Sequence, residues 1–206
     1  MVVKQIKQTS ANVYEITLDA GSAFFLRSEY LTQHTKEELD FICSGDDISE
    51  EFLEDMVNAG LVYNVEVKAM DYLSRAEQYR NGLYSKLLKK GFKKEDCNKA
   101  LDYLESVNYL SDKRYAGAWI RSRIINHYEG KNRIFAELLS RGIDSVTAKE
   151  SVEEFFAEHD ELEICEKAFN KIKNNNWEKE KVIQSLQRSG FNQKIIKNIL
   201  ENYTEI

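Results

Sequence analysis

The spacing of apolar residues changes period once along the chain. Near the start it alternates. Val13-Tyr14-Glu15-Ile16-Thr17-Leu18 sets apolar and polar side chains in turn and is rich in β-branched and aromatic residues, the signature of a half-buried strand. Lys4–Gln8 predicts a short strand before it, and Ala23-Phe24-Phe25-Leu26 a return strand after it. Asp19-Ala20-Gly21-Ser22 lies between and has turn chemistry, because glycine reaches positive φ without steric cost. The expectation is a small antiparallel sheet made of hairpins. The period then becomes helical. Thr35-Lys36-Glu37-Glu38 has the spacing of a capping box, and Ser44-Gly45-Asp46-Asp47 ends that helix. Ser49 caps a second helix with Phe52, Leu53, Met56 and Val57 on one face. From about Val62 onward the whole chain reads as helix.

Within the helical part a pattern recurs. Lys86-Leu87-Leu88-Lys89-Lys90-Gly91-Phe92, Glu137-Leu138-Leu139-Ser140-Arg141-Gly142-Ile143 and Ser185-Leu186-Gln187-Arg188-Ser189-Gly190-Phe191 share it, with glycines 51 and then 48 residues apart. Each glycine stands where a helix should stop, since a residue at that position takes the left-handed conformation and the next hydrophobe packs back on the last turn. Each is followed by another apolar stripe (Ala100, Leu101, Leu104; Val146, Val152, Phe155; Ile195, Ile196, Ile199, Leu200). Each is preceded by a further helix (Tyr72, Leu73, Ala76; Ala116, Trp119, Ile120; Ile164, Ala168, Phe169). The predicted fold class is therefore mainly α: tandem three-helix repeats in an elongated curved array, with a small N-terminal antiparallel β segment. Short units of this kind bury little apolar surface alone and cover their open faces by stacking. The boundaries read as 1–61 for the β segment with two short helices, then 62–110, 111–158 and 159–206 for repeats one, two and three.

Composition narrows the function. The 206 residues contain no proline and 9 glycines, which excludes collagen-like and linker-rich classes and suits uninterrupted helices. No apolar run approaches the ~20 residues that span a bilayer, and the N-terminus lacks a secretory h-region, so a cytoplasmic protein without membrane contact is expected. Cys43, Cys97 and Cys165 are odd in number and far apart, which fits buried small hydrophobes in helices and neither a disulfide framework nor a zinc motif. His34, His127 and His159 are scattered. With no phosphate loop and no nucleophile elbow, neither an enzyme nor a cofactor or metal is expected.

The net charge of −6 argues against a plain nucleic-acid binder. It is unevenly placed, however. Residues 1–68 hold 5 Lys/Arg against 13 Asp/Glu, residues 69–150 hold 16 against 11, and residues 151–206 hold 8 against 11. The middle is basic.

The residues now carry a resemblance. Gly91-Phe92, Ala100-Leu101-Asp102-Tyr103-Leu104-Glu105, Tyr109-Leu110-Ser111-Asp112-Lys113-Arg114-Tyr115-Ala116, Arg121-Ser122-Arg123, Gly130-Lys131-Asn132-Arg133-Ile134 and Glu137–Ile143 follow in the order and spacing of the RecX family. The hairpin Tyr14–Leu26 resembles the β segment of its longer members. The resemblance implies three tandem three-helix repeats without a catalytic residue. It also implies a bacterial cytoplasmic modulator that binds the filament of the RecA recombinase on DNA and usually inhibits filament growth, strand exchange and co-protease activity, in DNA repair, recombination and the SOS response. One departure concerns the first repeat. Tyr79-Arg80-Asn81-Gly82-Leu83 stands where the family usually has Ser-x-x-Glu-Leu, so no capping box forms there and the orientation of that helix is open. The third repeat matches through Leu186, Gly190 and Phe191.

Nine cations are candidates for a partner or DNA surface: Lys86, Lys89, Lys90, Arg114, Arg121, Arg123, Lys131, Arg133 and Arg141. Lys86, Lys89, Lys90 and Lys93 also complement a helix C-terminus. Arg114 and Arg121, one heptad apart, read as neighbours opposite the apolar arc of their helix. Arg123 falls within that arc and is expected in an inter-helix ion pair that holds two repeats in register. Trp119 and Tyr128 are expected in core packing rather than in base stacking. The expected partners are the RecA filament and, secondarily, single-stranded or duplex DNA, with the chain itself a monomer. Two alternatives stay open. One is a helix-turn-helix transcription regulator, disfavoured by Glu95, Asp96, Asp102 and Glu105, and by Asp144, Glu150, Glu153 and Glu154, on the helices after the glycines. The other is a helical-repeat scaffold for another protein.

Overall fold

The computed structural model describes residues 1–19, 21, 23–39, 41–173 and 178–204. Strands β1 (Val3–Ser10), β2 (Val13–Leu18) and β3 (Phe24–Arg27) form an antiparallel sheet in that order, with Ile6 opposite Ile16 and Ile16 opposite Phe24. β1 runs beyond the expected Lys4–Gln8 because Asn12, at φ 61°, closes a tight turn directly before β2. Ala20 and Ser22 of the second expected turn lie outside the described residues. Helix α1 (Gln33–Leu39) starts before the expected capping box. Thr32 takes the cap: its hydroxyl accepts from the Thr35 amide at 3.4 Å, and its carbonyl from the Lys36 amide at 3.0 Å. Thr35 is buried inside the helix.

Ser49 caps α2 (Glu50–Leu73), its hydroxyl accepting from the Phe52 amide at 3.1 Å. This single helix of 24 residues serves two cores. Phe52, Met56 and Ala59 pack with the sheet, and Val62, Val65 and Ala69 pack with α3 (Arg80–Lys89) and α4 (Lys94–Ser106). The boundary expected at 61/62 thus falls inside one continuous helix, which ends at Leu73, before Ala76. The chain forms two compact units, residues 1–76 with 83–110 and residues 77–82 with 111–206. The first turn of α3 thereby groups with the second unit.

In the first unit a buried carboxylate joins the β segment to the helices. Glu66 is 5% exposed and accepts from Arg27 Nε at 2.7 Å, from Arg27 Nη2 at 2.5 Å and from the Tyr30 hydroxyl at 2.8 Å. The Arg27 guanidinium also lies 4.4 Å over the Tyr103 ring. Burial and the adjacent Glu66 push the Tyr30 hydroxyl far above its ordinary pKa, so it acts as a donor at every physiological pH.

The second unit contains α5 (Asp112–His127), α6 (Lys131–Ser140), α7 (Ser145–Glu158), α8 (Glu161–Ile172), α9 (Lys179–Arg188) and α10 (Gln193–Thr204) around one core. The 48-residue offset of its turn glycines maps buried side chains onto buried side chains. Ala116 answers Ile164, Ile120 answers Ala168, Leu138 answers Leu186 and Ala148 answers Ile196. Large and small exchange places, which keeps the core volume roughly constant. The offset of 51 extends the register backward, so that Val65 and Ala69 of α2, Leu87 of α3 and Cys97 of α4 take the same places. Cys97 and Cys165 are buried as expected, and burial pushes the Cys165 thiol up to about 12. Cys43 departs from expectation: it is exposed, in the loop after α1, where nothing packs over it.

The middle helices α3 and α6 borrow N-terminal partners from helices that follow them. At α6 the Gly130 amide donates to the Ser189 carbonyl at 2.8 Å, the Lys131 amide to Glu161 Oε1 at 3.0 Å, and the Asn132 amide to the Gly190 carbonyl at 3.3 Å. The carbonyls at the end of α9 thus meet the free amides at the start of α6, and both helix dipoles are complemented. Gly130 permits this approach, since a Cβ there would stand 2.7 Å from the Gly190 backbone. At α3 the Arg80 amide donates to Asp112 Oδ1 at 2.7 Å, and the turn glycine Gly142 (φ +82°) lies against the Asn81 side chain. Asp112 therefore takes the capping role of the missing serine and fixes the first turn of α3. Gly82 is required there by the Tyr79 ring above it.

We expect Asp112→Ala to lower stability by about 1–2 kcal/mol, the usual cost of losing a cap. Asp112→Asn should stay within about 0.5 kcal/mol, because asparagine caps equally well. Chemical denaturation of the two variants checks this.

Candidate partner-binding surface

At least five of the nine cations read from the sequence are held by carboxylates of the chain itself. Arg123 leaves α5 and makes a bidentate pair with Glu129 in the α5–α6 corner, with Nε donating to Oε2 at 2.8 Å and Nη2 donating to Oε1. Glu129 is buried and also takes Arg133 Nε at 2.9 Å. Arg133 Nη2 stands 3.5 Å from Glu137, which in turn binds Arg141 Nη1 at 2.9 Å. The guanidinium of Arg141 lies 4.3 Å over the Trp119 ring, with that of Arg123 at 5.6 Å. Three guanidiniums thus share two carboxylates around one indole, and Trp119 packs against the core beneath them. Arg123 is paired as its place in the apolar arc requires. Its partner, however, lies within the same repeat, so the pair fixes the α5–α6 corner rather than the register of two repeats.

Lys131 reaches Glu161 at 3.7 Å, beside the amide contact that caps α6. Arg114 donates to Glu77 Oε1 at 2.9 Å. Arg114 and Arg121 are not neighbours on a free face: Arg114 turns to the segment before α3, whereas Arg121 lies along α5 with a guanidinium nitrogen 3.5 Å from where a Cβ on Gly117 would stand. Arg121 is exposed and, among the described residues, engages no carboxylate.

Lys86, Lys89 and Lys90 are exposed at and beyond the end of α3, and Lys86 Nζ lies 5.4 Å over the Tyr72 ring. The helix-dipole account covers Lys86 and Lys89, which stand in the last turn of α3. It does not cover Lys93 and Lys94, which stand at the N-cap and first position of α4, where positive charge is unfavourable. In the other copies the N-cap residue is Asp144, accepting from the Val146 and Thr147 amides at 3.0 and 2.9 Å, or Asn192, accepting from Ile195 at 2.9 Å. Lys93 makes no such bond. The Gly91 turn (φ +91°) is also open, with nothing near its missing Cβ, unlike Gly142 and Gly190. Lysines stand in place of a stabilising cap at the one turn of the three whose glycine has nothing near its missing Cβ.

Among the described residues no group of three or more His, Cys, Asp or Glu is placed to hold a metal, and no helix is long and apolar enough to cross a membrane. Sequence reasoning missed Glu129, Glu137 and Glu161 as the counter-ions. The signal available was Glu129 itself, an acid six residues after an arginine on an apolar stripe.

The model of the RecX second three-helix domain matches residues 111–151, which are α5, α6 and the first half of α7. A regulatory protein RecX of Neisseria gonorrhoeae is 31% identical over 140 residues, covering 68% of this chain and 90% of that protein. The chain belongs to the RecX family. A second RecX-family relative, the regulatory protein RecX of Treponema pallidum, is 29% identical over 143 residues, 69% of this chain and 87% of the relative. That of Clostridioides difficile is 25% identical over 204 residues, 97% and 94%. A crystal structure of a regulatory protein RecX superposes with a TM-score of 0.77 at 22% identity, covering 97% of this chain and 98% of that one. RecX from Lactobacillus salivarius gives 0.61 at 21% identity, covering 71% and 98%. The first shares the fold over nearly the whole chain and the second over about seven-tenths of it.

Two outcomes follow from the ion network of this RecX-family chain. Arg123→Ala leaves the buried Glu129 with one partner fewer and should cost about 2 kcal/mol, whereas Arg121→Ala should change stability by less than about 0.5 kcal/mol. Equal melting temperatures for the two variants would refute the assignment. The Arg141 guanidinium holds the Glu137 carboxyl below its ordinary value of 4.5. A depressed carboxylate contributes stability above its unfolded pKa and loses it as pH falls through the folded one. The stability gap between the parent chain and Glu137→Gln should therefore be full near neutrality and close below about pH 4.5.

Proposed function

We propose that the chain is a non-enzymatic regulator that binds the RecA–DNA filament in the bacterial cytoplasm and restrains RecA recombinase and co-protease activity. Family membership carries this reading: the match to a protein named for regulation spans nine-tenths of that protein. The lysines around the Gly91 turn support the DNA side of it. Lys93 and Lys94 stand where the helix dipole disfavours them, and exposed ammonium groups there attract a phosphodiester backbone without reading its sequence. Arg123, Lys131, Arg133 and Arg141, held in internal pairs, add less to such a surface than their number suggests. The carboxylates of α4 and α7 speak against groove insertion of those helices, and so against a sequence-specific repressor.

The test is RecA-dependent ATP hydrolysis on single-stranded DNA. Added chain should lower the rate in proportion to its concentration, and the triple variant Lys90→Ala, Lys93→Ala, Lys94→Ala should need several-fold more protein for the same effect with a melting temperature close to the parent's. A rate that does not respond overturns the reading. Tight, sequence-selective duplex binding without RecA would favour a transcription regulator instead.

A further inference from the structure

Between α5 and α7 runs a groove of about 220 Å³. Three irregularities meet in it. The first is Gly117, in the middle of α5. Of the other two helical glycines, Gly82 lies under the Tyr79 ring with no room for a methyl group and Gly60 is tightly approached by Phe24 and the Phe25 carbonyl, but an alanine at 117 would meet only the Arg121 guanidinium at an ordinary 3.5 Å. The fold does not require glycine here, and helix propensity disfavours it. The second is Arg121, the one arginine of α5 without a carboxylate, for Arg114 has Glu77 and Arg123 has Glu129. The third is Ser151, 5% exposed, whose hydroxyl is buried without a hydrogen-bond partner. A buried polar atom of that kind is a standing cost that calls for an explanation.

The repeat register sharpens the comparison. The positions of Gly117, Arg121 and Ser151 are Cys165, Phe169 and Ile199 in the last repeat, all buried and apolar, with Phe169 packed on Tyr203 at 4.8 Å. In the first repeat they are Glu66, Met70 and Ala100. There the same groove is filled by a side chain from outside the repeat: Arg27 of β3 enters it and pairs with Glu66. The middle repeat has a socket of the same form with the charge inverted, lined among the described residues by α5, α7 and His159 alone.

We propose that the α5–α7 groove is a docking socket for a single acidic side chain of a partner protein, its carboxylate bridged by the Arg121 guanidinium and the Ser151 hydroxyl over the floor left open by Gly117. Guanidinium pairs a carboxylate in a planar, bidentate fashion, and the hydroxyl supplies a further donor. The rim chooses the class of partner. Glu154 is neutralised by Lys113 at 2.7 Å, with Glu150 at 3.6 Å, and Glu158 stands beside them. These acids repel an extended polyanion, whereas one carboxylate entering between them meets Arg121. His159 stacked on Phe155 at 4.1 Å closes the end of the groove as an apolar wall. On the function proposed above, the partner is the protein surface of the RecA filament, so the socket reads protein while the lysines of the first repeat meet DNA.

The experiment measures binding of the full chain to RecA–single-stranded DNA filaments and, separately, to the same DNA without RecA. Arg121→Glu should weaken filament binding tenfold or more. Gly117→Ala and Ser151→Ala should weaken it several-fold with melting temperatures no lower than the parent's. None of the three should change affinity for naked DNA. Filament binding equal to the parent's in all three overturns the socket. Parallel losses on filament and on naked DNA overturn it too, by showing a nucleic-acid site. A parent chain that does not bind filaments at all refutes the function proposed above and the socket with it, a result distinct from normal binding by the variants.

Discussion

The free amides at the start of α3 and of α6 are completed by helices that come later in the chain, and much of the repeat architecture follows from that constraint. At α6 three successive amides are satisfied by Ser189, Glu161 and Gly190. Each such bond contributes on the order of 1 kcal/mol net, more where the acceptor is charged, and each would cost as much again if its partner were removed after burial. A middle helix therefore depends on its successor. The turn glycines are spaced as they are because Gly142 and Gly190 must present bare backbone to a neighbouring helix end as well as reverse the chain. Positive φ alone would accept asparagine, as Asn12 and Asn108 show; the close approach does not.

The same economy of partners decides what the charge of the middle segment means. Its excess of cations is not an excess of free surface charge. Glu129 and Glu137 hold Arg123, Arg133 and Arg141, while Glu161 and Glu77 hold Lys131 and Arg114. Among the described residues the excess resides chiefly in Lys89, Lys90, Lys93 and Lys94 around Gly91 and in Arg121. Exposed pairs are worth little to stability, but Glu129 and Glu66 are buried, and a buried carboxylate fixes the geometry of whatever it binds. Glu129 sets the α5–α6 corner, next to the Gly130 contact. Glu66 seats the β segment on α2.

Periodicity made most of the fold legible. The strand pair, the glycine-ended helices and the buried stripes stand where the apolar spacing puts them, because burial of one face is a local property of sequence. What escaped was non-local or competitive. Thr32 displaced Thr35 as a cap because it also reaches Asp55, a residue 23 positions away. α2 runs through an expected boundary because one helix can serve two cores on successive turns, and no breaker interrupts it. Asp112 replaced a missing serine from 32 residues downstream. The basic candidates were found by residue type, which registers charge but not its counter-ion. Only the fold separates Arg121 from Arg123, two residues apart on one helix, where one is a structural cation and the other, among the described residues, engages no carboxylate.

The three copies show how one groove is put to different uses. Between the first and third helices of a repeat lies a position that must be filled, covered or explained. The last repeat fills it with Phe169 and Tyr203. The first covers it with the β segment, through a charged pair whose desolvation is offset by three hydrogen bonds and a cation–π contact. That pair shows that a docked element can contribute a charged side chain to this groove without disturbing the helices around it, since Val65, Ala69 and Leu104 remain fully buried beside it. In the middle repeat, glycine and serine at the positions that elsewhere carry bulk or charge leave the groove unfilled, and the arginine that lines it is held, among the described residues, by no carboxylate. A groove of identical construction that the fold neither packs nor covers is one whose sequence is set by something outside the chain.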